Sequence, residues 1–135
     1  MIDTRTAPYA ALFLRVTLGV LFLVHDALKF FVFTPAGTEK FFAAIGLPGW
    51  MAWVVMLAEL VAGVALILGI ATRWVAAVMI LDLLGAIVFV HIHNGFFFND
   101  PKGGWEYPLV WAIALGVQAL LGSGALAFDN RAKMA

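Results

Sequence analysis

Apolar residues run almost unbroken through four stretches of the chain: Pro8 to Phe33, Gly49 to Ile70, Trp74 to about His91, and Tyr107 to about Phe128. Each approaches the roughly 20 residues that carry an α-helix across about 30 Å of hydrocarbon. The pattern predicts an all-α protein, an integral membrane four-helix bundle. One domain over residues 1–135 is expected, with approximate spans 8–33, 49–70, 74–93 and 106–128. Helix-breaking clusters separate the spans. Thr34, Pro35 and Gly37 end the first helix, Gly46-Leu47-Pro48-Gly49 opens the second, Gly69 to Arg73 makes a tight turn, and Asn99 to Gly104 is a Pro/Gly loop. Connections this short imply antiparallel neighbours. The first apolar run has a short polar leader and no small-residue cleavage site after it, so it is expected to remain in the mature protein.

Composition agrees with that reading. The chain is 64% hydrophobic and 12% charged, with a mean hydropathy of +1.03, too apolar for a surface facing water on all sides. Formal net charge is zero and no loop carries a basic cluster, which argues against a nucleic-acid partner or polybasic lipid binding. With no cysteine, disulfides, thiolate metal sites and thiol relays within this chain are excluded. Arg5, Arg73, Arg131 and Lys133 fall on one side of the predicted membrane, and Lys40 and Lys102 on the other. Basic residues in short loops resist translocation, so both termini are expected in the cytoplasm of a bacterial inner membrane. Phe41, Phe42, Trp50, Trp53, the Phe96-Phe97-Phe98 run, Trp105 and Tyr107 gather near the outer boundary, chiefly as an interfacial belt, with the lining of a site for a flat aromatic ligand by a minority of them as the alternative; Trp74 marks the inner boundary. Small residues such as Ala58, Ala62 and Gly63, and Gly122 with Gly124, suit close helix packing.

Ionisable residues interrupt the grease. Arg15, His25, Asp26 and Lys29 all lie in the first span, and at ~100° per residue they fit within an arc of ~100°. They share one face, which must point into the bundle, because charges at membrane depth are costly unless paired. His25 sits roughly 15 Å further along the helix than Arg15. Two layers follow. The inner one contains Arg15 with Glu59, Asp82 and Gln118, and an ion pair from Arg15 to Glu59 or Asp82 is expected as structural glue. The outer one gathers His25, Asp26, Lys29, His91, His93, Asn94, Trp105 and Glu106. Two helical residues at 91 and 93 would point ~160° apart, so the helix is expected to end there, at Asn94-Gly95.

Several chemistries fit the outer cluster. A quinone or quinol site needs an apolar aromatic cleft, a His or Lys donor to a carbonyl oxygen, and a carboxylate to exchange the proton. In that reading His25 and Lys29 donate, Glu106 or Asp26 handles the proton, and Phe96, Phe97 and Trp105 wall the ring. A metal held by His25, His91, His93 and Glu106 is the disfavoured alternative, since His-x-His at a helix end is a weak pattern. The bland alternative has His25 and Lys29 merely reaching for the interface. No haem, flavin or iron–sulfur motif is present, so in a redox role electrons are expected from a partner protein, whereas a transporter role calls for a homo-oligomer to enclose a pore. A non-catalytic scaffold for soluble redox proteins, and a small transporter with Arg15, Glu59 and Asp82 along its path, are the competing functions.

The motifs taken together resemble the DoxX family across nearly the whole chain. They are Arg15-Val-Thr-Leu-Gly19 followed by Phe22, His25 and Lys29; Gly46-Leu-Pro48; Glu59 with Gly63; Gly69 with Thr72-Arg73; His91 with Asn94-Gly95-Phe96-Phe97; Glu106-Tyr107-Pro108; and Gly122-Ser-Gly124 with Asp129. The resemblance implies a four-helix inner-membrane protein with cytoplasmic termini, related to the small subunit of archaeal thiosulfate:quinone oxidoreductase. It also implies a scaffolding role as the alternative, since a mycobacterial member is described as joining a superoxide dismutase to a sulfurtransferase. It highlights Arg15, His25, Lys29, Glu59, Arg73, His91, Asn94, Glu106 and Asp129. Asp26 stands where the family pattern has glycine, and His93 where it often has proline, which makes this chain's outer cluster more polar.

Overall fold

The computed structural model describes residues 3–132, with side chains to residue 130. Lys133 and the side chain of Arg131, both counted in the orientation expectation, lie outside the described residues. The described residues are all helical or loop, with no strand. α1 spans Ala7–Ala27 and continues through a π turn, Leu28–Val32; α2 is Pro35–Ala44; α3 is Met51–Leu68; α4 is Thr72–Ala86, continued by a π turn, Ile87–His91; α5 is Glu106–Leu121; and α6 is Phe128–Ala132. Ala7–Val32, Met51–Leu68 and Thr72–His91 are long and apolar enough to cross a membrane, and Glu106–Leu121 is a shorter apolar helix. The fourth apolar stretch therefore stops short of the expected residue 128. Gly122 takes φ 82° and the backbone turns away there.

One face of each long helix is buried, as the 3.6-residue repeat requires. On α1 it is Ala11, Arg15, Leu18, Gly19, Phe22 and Asp26. α1 packs on α3, α3 on α4, α4 on α5, and α5 back on α1. Their shared core contains Leu18, Phe22, Leu66, Met79, Leu83, Trp111 and Leu115. α1 and α3 touch backbone to backbone. A Cβ on Gly19 would sit 2.7 Å from the Gly63 carbonyl oxygen, and one on Gly63 would strike Leu23 at 2.7 Å, so glycine at both positions sets the closeness of this pair. The outward faces are apolar. Phe13 is 74% exposed, Leu81 69% and Leu120 82%, a surface that lipid covers and water would not tolerate.

The segment expected as a loop after the first span contains a ten-residue helix, α2. Thr34 ends α1 at φ 62° and caps α2, its hydroxyl accepting from the Gly37 N–H at 3.2 Å. Pro35, at the start of α2, has its φ already set for a first helical turn. The residues read as a stop signal are thus also a start signal. At the opposite end, where α1 begins and α6 lies, called the terminal end below, Gly69 at φ 73° closes α3, with Ile70 N–H returning to the Ala65 carbonyl at 2.9 Å.

Candidate functional site

The buried polar side chains fall into two layers, but their partners differ from those expected. Arg15, 1% exposed, makes no hydrogen bond to Glu59 or Asp82. Its guanidinium donates to the carbonyls of Leu66 at 2.9 Å, Ser123 at 2.9 Å and Ala125 at 3.0 Å, and also to that of Ile67. Leu66 and Ile67 lie in the last turn of α3, where carbonyls lack helical partners and cations are favoured. Gln118 likewise turns to the backbone, its amide donating to the Gly122 carbonyl at 2.7 Å. The expected ion-pair layer of Arg15, Glu59, Asp82 and Gln118 is therefore corrected. Arg15 and Gln118 tie together the chain turns at the terminal end, and the two carboxylates belong elsewhere.

Glu59 pairs with Lys29. The ammonium lies 2.5 Å from both carboxylate oxygens, and the Glu59 side chain is only 5% exposed. Asp82 on α4 faces the same pair, close enough for Coulombic attraction to Lys29 and side-chain contact with Glu59. Asp26, one turn before Lys29 on α1, is buried, and its Oδ1 has no hydrogen-bond partner. It too lies within electrostatic reach of Lys29 and Glu59. On the flank toward α5, the Tyr107 hydroxyl and His25 Nε2 share a hydrogen bond of 2.7 Å. The His25 ring stacks on Tyr107 and packs against Trp111 at 5.0 Å. Ionisable groups from α1, α3, α4 and α5 thus meet in the distal half of the molecule.

A cleft of about 470 Å3 opens beside this cluster, lined by Lys29, Phe33, Gly37, Thr38, Phe41 and Phe42. The π turn that carries Lys29 connects it to α2, because the Lys29 carbonyl accepts from the Thr38 hydroxyl at 3.2 Å. π turns of this kind recur at functional sites. The result is a phenyl-walled slot with one ammonium at its polar end and three carboxyl groups behind it.

Most of the remaining outer residues are committed to the loop before α5. His91 Nδ1 bonds the Gly103 carbonyl at 2.9 Å. Asn94 donates to the Val90 carbonyl at 2.9 Å, and Glu106 accepts from the Phe98 N–H at 3.1 Å. Trp105 packs edge-on against Phe96, and His93 is exposed. The expected single pocket of His25, Asp26, Lys29, His91, His93, Asn94, Trp105 and Glu106 is corrected. His25, Asp26 and Lys29 stay together, and the other five neither line the cleft nor share a hydrogen bond or ring contact with His25 among the described residues. The alternative metal set of His25, His91, His93 and Glu106 is not assembled either, and among the described residues no three His, Cys, Asp or Glu are placed to hold a metal ion. Sequence reasoning missed Tyr107 as the partner of His25 and Phe33 as a wall, and placed Phe41 and Phe42 in the interfacial belt, with site lining only as the lesser alternative. The Thr34-Pro35 helix start was the available signal for those walls.

A family model, DoxX, matches residues 10–92. The chain belongs to the DoxX family. A Bacillus subtilis protein, CatD, which carries a provisional designation as an oxidoreductase, is 39% identical over 118 residues, covering 87% of this chain and 83% of that one. A Haemophilus influenzae protein with no activity in its description is 32% identical over 126 residues, covering 92% of this chain and 91% of that one. No solved structure matches. The matched family region contains His25, Lys29, Glu59, Asp82 and the phenylalanine slot, while Tyr107 lies beyond it.

Proposed function

We propose that this protein is the membrane subunit of a quinone-linked redox system, with the quinone ring held in the Phe33/Phe41/Phe42 slot. The observation that carries the reading is the Lys29–Glu59 pair at the polar end of an apolar cleft of about 470 Å3, within the size range of small-molecule pockets. The provisional oxidoreductase designation of CatD points the same way. Quinone supplies two-electron, two-proton carrier chemistry when bound. Lys29 Nζ donates to a ring oxygen, Glu59 keeps the ammonium in place, and Asp82 and Asp26 exchange protons with the site. Thr38 holds α2 against α1, so that Phe41 and Phe42 stay over the slot. Electrons come from a partner protein, since the chain carries no redox-cofactor motif. In this reading α1, α3, α4 and α5 all cross the inner membrane as an antiparallel four-helix bundle, with both termini cytoplasmic and the slot toward the outer face.

The test is to purify the protein with native lipid, extract and assay quinone, and titrate a short-chain quinone against tryptophan fluorescence. Wild type retains quinone and responds to the titrant; Phe41→Ala, which shortens the wall, weakens binding several-fold. A wild-type protein that carries no quinone and shows no optical response removes the proposal. The scaffold reading gains weight from Arg15, His91, Asn94 and Glu106, all of which bond to backbone. It is favoured instead if crosslinked partners survive Lys29→Met and Phe41→Ala while quinone is absent throughout.

A further inference from the structure

The terminal end holds a second and larger cavity, of about 760 Å3, between the start of α1, the start of α4 and the turn after α5. Pro8, Thr72, Arg73, Trp74, Gly122 and Asp129 are among its walls. α4 is fifteen residues long and begins here with no side-chain cap. Its Ala71 N–H goes to Asp129 at 3.0 Å, while the N–H groups of Thr72 and Arg73 have no acceptor among the described residues. First-turn N–H groups of a helix carry its positive end and favour anions.

Two further features point to a ligand. Thr72 is fully buried at the cleft, and its hydroxyl has no hydrogen-bond partner. A buried hydroxyl left alone is costly, so this one calls for an occupant that bonds it. The Arg73 guanidinium runs across Gly122, where a Cβ would come within 2.9 Å of its Nε. Asp129 is the carboxylate in these walls. Its oxygens accept from Ala71 N–H and from the Ser123 hydroxyl at 2.7 Å, and Arg15 lies within Coulombic reach of it. Its charge is therefore met inside the protein, while Arg73 and the helix end remain to face an anion.

We propose that this cleft is a phosphate site, formed by the Arg73 guanidinium, the Thr72 hydroxyl and the first-turn N–H groups of α4. Its level selects the source. α4 together with its π turn, Thr72–His91, is long and apolar enough to cross a membrane and starts at Thr72. Trp74, 78% exposed, stands at the rim as interfacial tryptophans do. A phosphate at that height belongs to a phospholipid headgroup, and the site is independent of the quinone slot.

The test uses the full chain, delipidated in detergent, with native mass spectrometry and thermal unfolding as readouts. The probes are dioleoylphosphatidylglycerol, dioleoylglycerol with the same tails and no phosphate, and inorganic phosphate. Wild type is expected to prefer the phospholipid over dioleoylglycerol by about tenfold, the scale of a charge-assisted contact, and Arg73→Ala is expected to lose that preference. Thr72→Val keeps the side-chain shape, is expected to fold, and weakens phospholipid binding several-fold. Inorganic phosphate that saturates the site and displaces the lipid assigns a free phosphate as the natural occupant; indifference to it assigns the headgroup. Equal binding of the two lipids by wild type, or unchanged phospholipid binding in Thr72→Val, overturns the site even if Arg73→Ala does not fold.

Discussion

The pairing of Lys29 with Glu59 rather than Arg15 with Glu59 follows from the direction in which helical side chains lean. Every Cα–Cβ bond tilts toward its own helix N-terminus, and long side chains follow it. α1 and α3 are consecutive spans running in opposite directions, so Lys29 leans back from the distal end while Glu59 leans toward it, and the two meet. Arg15 leans toward the terminal end, away from Glu59 and onto the last carbonyls of α3. Depth counted at Cα put Glu59 beside Arg15; depth counted at the charged atom puts it beside Lys29. The polar face of α1 was legible in the sequence, and the identity of each partner was not, because it depends on direction as well as spacing. Lys29→Met leaves a nearly buried carboxylate without its cation, and is expected to cost about 3 kcal/mol, with Lys29→Met/Glu59→Leu recovering most of it. Chaotrope unfolding in a bilayer mimic measures both. Asp26 behaves oppositely. Its Oδ1 has no partner, so Asp26→Ala is expected to stabilise the fold by about 1 kcal/mol. If Asp26 also exchanges protons with the ligand, the same change lowers quinone turnover in membranes reconstituted with the electron donor.

At the scale of helices, the close approach of α1 to α3 depends on Gly19 and Gly63. Gly19→Ala puts a methyl group against the Gly63 carbonyl and the Ile67 side chain, and is expected to destabilise by about 1–3 kcal/mol as the pair is forced apart. Gly85 and Gly116 lie in α4 and α5, and a Cβ there meets nothing within 4 Å. Gly85→Ala and Gly116→Ala are expected to be neutral or to stabilise by up to about 1 kcal/mol through helix propensity. Thermal unfolding of the three single variants separates the two classes, and uniform behaviour would show that glycine here sets propensity rather than packing. Sequence spacing alone did not distinguish them, since all four glycines sit in apolar helical runs and only the neighbouring helix decides. The long apolar helices were legible because a span needs an unbroken hydrophobic run. α2 was not, since ten residues containing Gly37, Thr38, Glu39 and Lys40 give little apolar signal, and its Thr-Pro start also reads as the end of α1.

Across the whole molecule, polar side chains divide into those that hold backbone and those that face one another. Arg15 and Gln118 secure the terminal end, while His91, Asn94 and Glu106 secure the loop before α5. His25, Asp26, Lys29, Glu59, Asp82 and Tyr107 form a cluster across α1, α3, α4 and α5. Equal depth in the membrane made both groups look like one site, because a sequence gives height along the normal far better than position around the bundle. The division predicts opposite phenotypes. His91→Ala and Glu106→Ala remove ties to the Gly103 carbonyl and the Phe98 N–H, each worth about 1 kcal/mol. Both are expected to speed hydrogen exchange and proteolysis in residues 92–105 while leaving quinone binding within twofold of wild type. Lys29→Met/Glu59→Leu, with its stability largely restored, is expected to lose quinone binding and leave exchange in that loop unchanged. Loss of binding in His91→Ala with the loop still protected would return His91 to the site and refute the division. The two measurements on one set of variants therefore distinguish a polar residue that shapes the protein from one that meets its ligand.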